Sequence, residues 1–172
     1  MEIRQLTAEN FHPDSLDSFD RYQVVDWIYV LENDTLKLVR SSFDESWSPE
    51  RRREKAAEIL SGSYIVFGAF EGGRVIGEIM LIPALNRRRM IVDSFHVSRE
   101  FRRQGIGRAL FQAAVAEAKR HHAGGLYISA CSAKETIDFY LAMGCHVSPA
   151  PIAEYAEAEP CDIQLEYTFP ES

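Results

Sequence analysis

Arg102-Arg103-Gln104-Gly105-Ile106-Gly107-Arg108 joins two segments of opposite character. Before it, Met90 to Val97 is β-branched, apolar and aromatic, and reads as a strand. After it, from about Arg108 to His122, apolar residues recur at helical spacing. Gly124-Gly125 follows, and Leu126 to Ala130 reads as a second strand. A strand, a crossover helix and a strand make a βαβ unit, so strands 90–97 and 126–130 are predicted to run parallel. The two glycines let the backbone turn tightly and bring its N–H groups close to a ligand. The first helical turn adds unpaired N–H donors and a positive dipole end, which suits a pyrophosphate. Arg102, Arg103 and Arg108 add charge, although G-x-G alone would serve equally as an ordinary turn. A dinucleotide fingerprint fits badly, because Leu110 occupies its third small position and 126–130 holds no acid. No G-K-[ST] is present for a P-loop.

Outward from this unit the pattern is antiparallel. Tyr64 to Phe70 and Arg74 to Ile82 flank Glu71-Gly72-Gly73, a hairpin signal. Leu85-Asn86-Arg87 turns the chain into the strand at 90–97. Upstream, residues 1–6 read as a strand. Gln23 to Leu31 and Thr35 to Arg40 read as a second hairpin around Glu32-Asn33-Asp34. Ser48-Pro49 reads as an N-cap and first helical position, with a helix to about Leu60 that turns Ala56, Ile59 and Leu60 inward. Downstream, Ser132 and Glu135 have capping-box spacing, and Gly144 sits where a glycine ends a helix. A strand near Cys145 to Val147, a Pro- and Glu-rich loop at 148–160, and a last strand Asp162 to Phe169 complete the reading.

The 172 residues are taken as a single domain of ordinary globular composition, 46% hydrophobic and 26% charged. No apolar run is long enough to span a bilayer, and Met1-Glu2-Ile3-Arg4 leads into no signal-peptide h-region. The net charge of −7 argues against nucleic acid as a partner. It is unevenly spread. Residues 1–50 carry 4 basic and 11 acidic side chains, residues 51–120 carry 14 and 7, and residues 121–172 carry 1 and 8. A basic middle is compatible with an anionic ligand. Acidic ends, including Asp26, Asp44, Glu45, Glu154 and Glu157, are compatible with a cationic one. The runs Arg51–Arg53 and Arg87–Arg89 read as solvated faces. Three cysteines without C-x-x-C spacing fit a reducing, cytoplasmic setting, and no metal-ligand spacing occurs.

The 102–108 segment resembles the R/Q-x-x-G-x-G/A signature of the GNAT superfamily of acyl-CoA-dependent N-acetyltransferases, with Arg102, Gly105 and Gly107 in its fixed positions. Ser94-Phe95-His96-Val97-Ser98 resembles the family's preceding strand. Ser132 to Cys145, with Phe139-Tyr140 and Gly144, resembles its N-x-x-A-x-x-F-Y-x-x-x-G-F stretch, with Ser132, Glu135 and Cys145 departing from it. The resemblance covers about residues 64–147, and the hairpin region at 17–47 would replace the family's variable acceptor-side helices. It implies an α/β fold with a mixed, mostly antiparallel central sheet, one parallel βαβ unit and helices on both faces.

The resemblance also implies acetyl-CoA as cofactor and a small-molecule or peptide amine as partner, in a monomer or homodimer without membrane contact. Backbone groups of Phe95, His96 and Val97 would hold the pantetheine arm and acetyl carbonyl. Arg102, Arg103, Gln104, Gly105, Ile106, Gly107 and Arg108 would hold the pyrophosphate. Tyr140 would protonate the departing thiolate, with Ser132, Thr136 and Phe139 beside the cofactor. Ser132, Thr136 and Tyr140, spaced by four, are predicted on one helix face. An alkyl amine of pKa about 10.4 loses its proton at a cost of about 4.6 kcal/mol at pH 7, against about 2 kcal/mol for a thiol near 8.5. A base therefore matters more than the acid. Asp93 is the first candidate, Glu78 the second, directly or through a water, and His96 the third, on the face opposite Asp93 unless a bulge intervenes. A non-catalytic acyl-CoA-binding sensor would keep the loop without needing Tyr140 or a base. A nucleotide-binding domain is a third reading.

Overall fold

The computed structural model describes residues 1–170. These residues form strands β1 (Glu2–Gln5), β2 (Gln23–Glu32) and β3 (Thr35–Glu45), helix α1 (Pro49–Leu60), and strands β4 (Ile65–Glu71), β5 (Arg74–Asn86) and β6 (Arg89–Val97). A 3₁₀ turn at Arg99–Phe101 leads to α2 (Ile106–Arg120), β7 (Gly125–Ala130), α3 (Lys134–Ala142), β8 (His146–Val147), α4 (Ala153–Ala158) and β9 (Ile163–Thr168). Seven strands form one sheet in the order β1-β4-β5-β6-β7-β9-β8. The β6–β7 pair, joined by α2, runs parallel and the other neighbours run antiparallel. The mixed sheet and single βαβ unit are as the sequence predicts.

Each face of the sheet carries its own core. Leu110, Phe111 and Ala114 of α2 and Ile137 and Tyr140 of α3 pack with Ile79, Leu81, Met90 and Val92. Ala56 and Ile59 of α1 pack on the other face with Leu6, Phe11, Leu16, Phe19 and Met80. α1 begins as its sequence demands: the Ser48 side chain accepts the Arg51 N–H at 3.1 Å, and Pro49 follows. α3 ends in a Schellman motif. Gly144 lies at φ 101°, its N–H reaches Leu141 O, and the Cys145 N–H reaches Tyr140 O.

The β2–β3 hairpin is a separate two-stranded sheet. Its Asn33-Asp34 turn has φ of 49° and 63°, the positive pair that matches the twist of a tight hairpin. It docks on the start of α3: the Tyr29 N–H donates to Ser132 O at 2.8 Å, and the Tyr29 hydroxyl donates to Asp138 at 2.5 Å.

Several local expectations are corrected. Ala133, not Ser132, is the N-cap of α3, and no side chain caps it. Ser132 precedes the helix, so only Thr136 and Tyr140 share the helical i, i+4 relation. The 148–160 stretch is not all loop, because it contains α4. The turn before β6 is made by Arg87 and Arg88, both at positive φ. Arg89 is buried rather than solvated: it donates to Ala150 O at 2.8 Å and to Asn86 O, and lies over the Tyr127 ring. Arg52 likewise donates to Asp17 O and Phe19 O, fastening α1 to the segment before β2.

Candidate active site

A bulge in β6 organises the site. Met80 of β5 pairs with Ser94, but Leu81 pairs with Val92, so Asp93 is an extra residue. Met90 and Val92 enter the α2–α3 core, and so do Phe95 and Val97 after the bulge. Ser94 and His96 consequently face α1, opposite Met80 and Glu78.

The same bulge marks where β6 and β7 separate. Their parallel pairing ends at Val92–Ile128, and Ser129 and Ala130 continue to pair with β9 alone. The Ser98 N–H reaches Ile76 O on the β5 side. Antiparallel strands present backbone groups alternately to either side, so Phe95 and Val97 direct theirs into the gap. The Val97 carbonyl there accepts from Arg102 Nε at 2.8 Å. A wedge between two strands with free backbone groups on one wall fits an extended, amide-bearing chain.

The 102–108 loop lies at the end of β6. Gly105, at φ 83°, is the N-cap of α2 and offers no side-chain acceptor. The first α2-side N–H to find a helical carbonyl is that of Ala109, on Gly105 O at 3.1 Å. The preceding N–H groups of the first turn have no helical partner, the arrangement an anion requires. Arg103 and Arg108 are exposed beside it. Arg102 is not: its NH1 and NH2 groups donate to Tyr22 O at 2.7 Å and Arg21 O at 3.1 Å. The three arginines therefore do not converge on one anion. Gly107 faces a different neighbour from the one its motif suggests, since a Cβ there would meet the Phe139 ring at 3.2 Å.

On the α2–α3 side, Tyr140 is buried. Its ring lies 6.1 Å from that of Phe95, and Phe139 meets Phe95 edge-on at 5.5 Å. Burial pushes the Tyr140 phenol well above its ordinary value, and nearby Cys145, Glu78 and Cys131 add to the rise. Thr136 is half-buried one turn before it, and Ser132 is buried at the hairpin junction.

On the α1 side, Glu78 is fully buried. Its Oε1 accepts from the Ser94 hydroxyl at 2.9 Å and lies 2.8 Å from His96 Nδ1, while its Oε2 has no protein partner. A carboxylate can only accept, so Nδ1 carries the proton and Nε2 keeps its lone pair. Burial lowers the His96 pKa below the usual 6.5, against the pull of Glu78, and the imidazole is neutral at pH 7. Buried Lys55 lies 3.3 Å from Ser94 Oγ and 3.0 Å from Glu58. Trp47 meets His96 edge-on at 4.8 Å, and Arg21, Asp44, Glu45, Ser46, Trp47 and His96 line a cavity. Asp93 is exposed at the bulge. Desolvation by its neighbours raises its carboxyl, Lys55 opposes this, and Glu58 and Glu78 reinforce it.

Lys55, Ser94, Trp47 and Arg21 escape motif reasoning. For Lys55 a signal exists: it precedes Ile59 by four residues, placing a charge on the inward face of α1. Of the acidic residues expected at an acceptor mouth, Asp44 and Glu45 line the cavity, whereas Asp26, Glu154 and Glu157 are exposed on β2 and α4.

The sequence profile of the Acetyltransferase (GNAT) family matches residues 32–145. The chain belongs to this family. No curated protein is recognisably similar in sequence. Among solved structures, a protein assigned as a streptothricin acetyltransferase of Bacillus anthracis, in complex with acetyl coenzyme A, superposes with a TM-score of 0.75 at 18% identity, covering 98% of both chains. A nourseothricin acetyltransferase superposes at 0.73 with 19% identity, also over 98% of each. An aminoglycoside 6'-N-acetyltransferase complexed with coenzyme A gives 0.55 at 16% identity over 70% of this chain and 82% of its own. At these identities the likeness is one of fold. Among the described residues, no helix of this GNAT chain is long and apolar enough to cross a membrane.

Proposed function

We propose that this GNAT chain is an N-acetyltransferase that moves the acetyl group of acetyl-CoA to a primary amine by direct attack. The supporting observation is a neutral His96 oriented by buried Glu78 on one side of β6 and a proton-holding Tyr140 on the other, beside a strand gap. When bound, acetyl-CoA supplies an activated acyl group on a good leaving sulfur. The free N–H groups of Phe95 and Val97 would grip its amide-bearing arm, and the N–H groups of the 103–108 loop its pyrophosphate. His96 Nε2 takes the ammonium proton, the costlier of the two transfers, and Glu78 fixes the tautomer. Tyr140 keeps its proton at neutral pH and would supply it to a leaving thiolate, the tyrosinate then taking the remaining proton of the attacking nitrogen. This ordering puts the Glu78–His96 pair ahead of Asp93, which lacks an orienting partner and is assigned to attracting the amine at the bulge.

The acceptor is proposed to be a cationic small molecule. Asp44 supplies negative charge at the cavity, beside the Arg21–Glu45 ion pair. The superposing antibiotic acetyltransferases agree with that chemistry. Calorimetry with acetyl-CoA, followed by thiol release with kanamycin, streptothricin, spermidine and an alanyl peptide, tests the reading. Turnover with a cationic amine is expected. Tight acetyl-CoA binding without thiol release on any amine would overturn it in favour of a sensor.

A further inference from the structure

The Arg102 guanidinium turns away from the loop that carries it and into the wall of the acceptor cavity. Its Nε holds Val97 O, on the strand that flanks the gap, while its two terminal nitrogens hold Tyr22 O and Arg21 O. A planar guanidinium holds its five donors in one rigid fork that fixes carbonyls from two segments at once, whereas a lysine offers three donors on a single rotatable ammonium. The contact is reinforced from both directions. Fully buried Ser98 accepts the Asp20 N–H on Oγ at 2.9 Å, and the Arg99 N–H donates to Asp20 O at 2.8 Å. The Arg99 guanidinium lies 4.8 Å over the Tyr22 ring. From the held segment, the Arg21 side chain donates to Glu45 at 2.7 Å and to Gln23 at 3.2 Å. Arg21 and Glu45 line the cavity into which His96 faces.

We infer that Arg102 is a positioning residue that couples the cofactor loop to the acceptor wall, so that seating CoA on residues 103–108 orders Arg21 and Glu45. The inference rests on the cofactor reading given under Proposed function. The route is short: Arg103 at φ 63° and Gly105 at φ 83° give the loop one defined shape, Arg102 adjoins it, and the guanidinium is bonded directly to the 21–22 backbone.

Hydrogen-exchange mass spectrometry on the full chain, with CoA as the probe, tests the coupling. In the wild type, CoA should slow exchange both at 103–109 and at 18–26. In Arg102→Gln, CoA affinity should change by less than about threefold, 103–109 should still respond, and 18–26 should not. KM for the amine that turns over should rise while KM for acetyl-CoA holds. Retention of the 18–26 response with a loss of CoA affinity of about tenfold or more would overturn the inference, because the guanidinium would then serve the phosphate. A wild-type 18–26 segment indifferent to bound CoA would overturn it as well. A wild-type chain that binds no CoA would overturn the underlying reading, and is recognised before any variant is made. If Arg102→Gln does not fold, Ser98→Ala removes the Asp20 contact without touching the loop and is expected to weaken the same 18–26 response.

Discussion

Along β6, neighbouring residues enter two different environments. Phe95 and Val97 join the aromatic and aliphatic core beneath α2 and α3, while Ser94 and His96 join Glu78 and Lys55 beneath α1. The first face is held by apolar burial. The second carries a buried carboxylate, an imidazole and an ammonium, which is a costly arrangement unless hydrogen bonds and charge pairing offset desolvation. One inserted residue, Asp93, separates the regular sheet from the gap and sets which side chains reach which face. Under the proposed function, the α2–α3 face shapes the cofactor side and the α1 face moves the amine proton.

The sharpest way to break this division is His96→Gln. It should lower kcat/KM for the amine by about a hundredfold or more while CoA affinity holds, the range of a lost general base. An unchanged rate would hand the base role to Asp93. On the opposite face, Leu110→Ala should destabilise the fold by about 2–5 kcal/mol in denaturant unfolding, because Leu110 is fully buried. A smaller loss would mean that this face is less tightly packed than its burial implies. Tyr140→Phe should lower kcat by about tenfold and spare acetyl-CoA affinity, and an unchanged kcat would remove the phenol from the mechanism. Gly105→Ala should cost about 1 kcal/mol in thermal stability, since φ is 83° there.

The smallest expected effect is on pH dependence. Burial holds folded His96 below 6.5, so the unfolded chain takes up that proton first on acidification. This residue's contribution to stability should therefore fall as pH drops below about 6.5, and His96→Gln should flatten that part of the curve. The acid limb of kcat/KM should also lie below 6.5 and disappear in the variant. A limb above 6.5 would contradict a neutral, half-buried imidazole.

The βαβ unit was legible because its signals are local: a β-rich run, two glycines, helical periodicity, then glycine and another β-rich run. Ser48-Pro49 and Gly144 likewise announce helix ends through backbone chemistry within a few residues. The contacts that build the cavity beneath α1 were not legible, because they span the chain. Arg102 meets Arg21 and Tyr22 some eighty positions away, Lys55 meets Ser94 across the sheet, and Glu78 meets His96 only through strand register. The motif puts Arg102 at the end of β6 but leaves its side-chain direction open, and the guanidinium turns to backbone carbonyls of residues 21, 22 and 97. His96 ranked low as a base because strict alternation sets it opposite Asp93. The bulge breaks that alternation locally but leaves His96 beside Glu78 rather than Asp93. Ser132 shows the limit of spacing arguments: four residues from Thr136, it lies outside the helix that would have aligned them.

The most direct test of the central claim is mass-spectrometric detection of N-acetylated product from acetyl-CoA and the cationic amine panel, with wild type and His96→Gln side by side. The account predicts product on an amine nitrogen in the wild type and a rate lower by about a hundredfold or more in the variant. Equal product from both chains, or none from any amine while acetyl-CoA binds tightly, would contradict it.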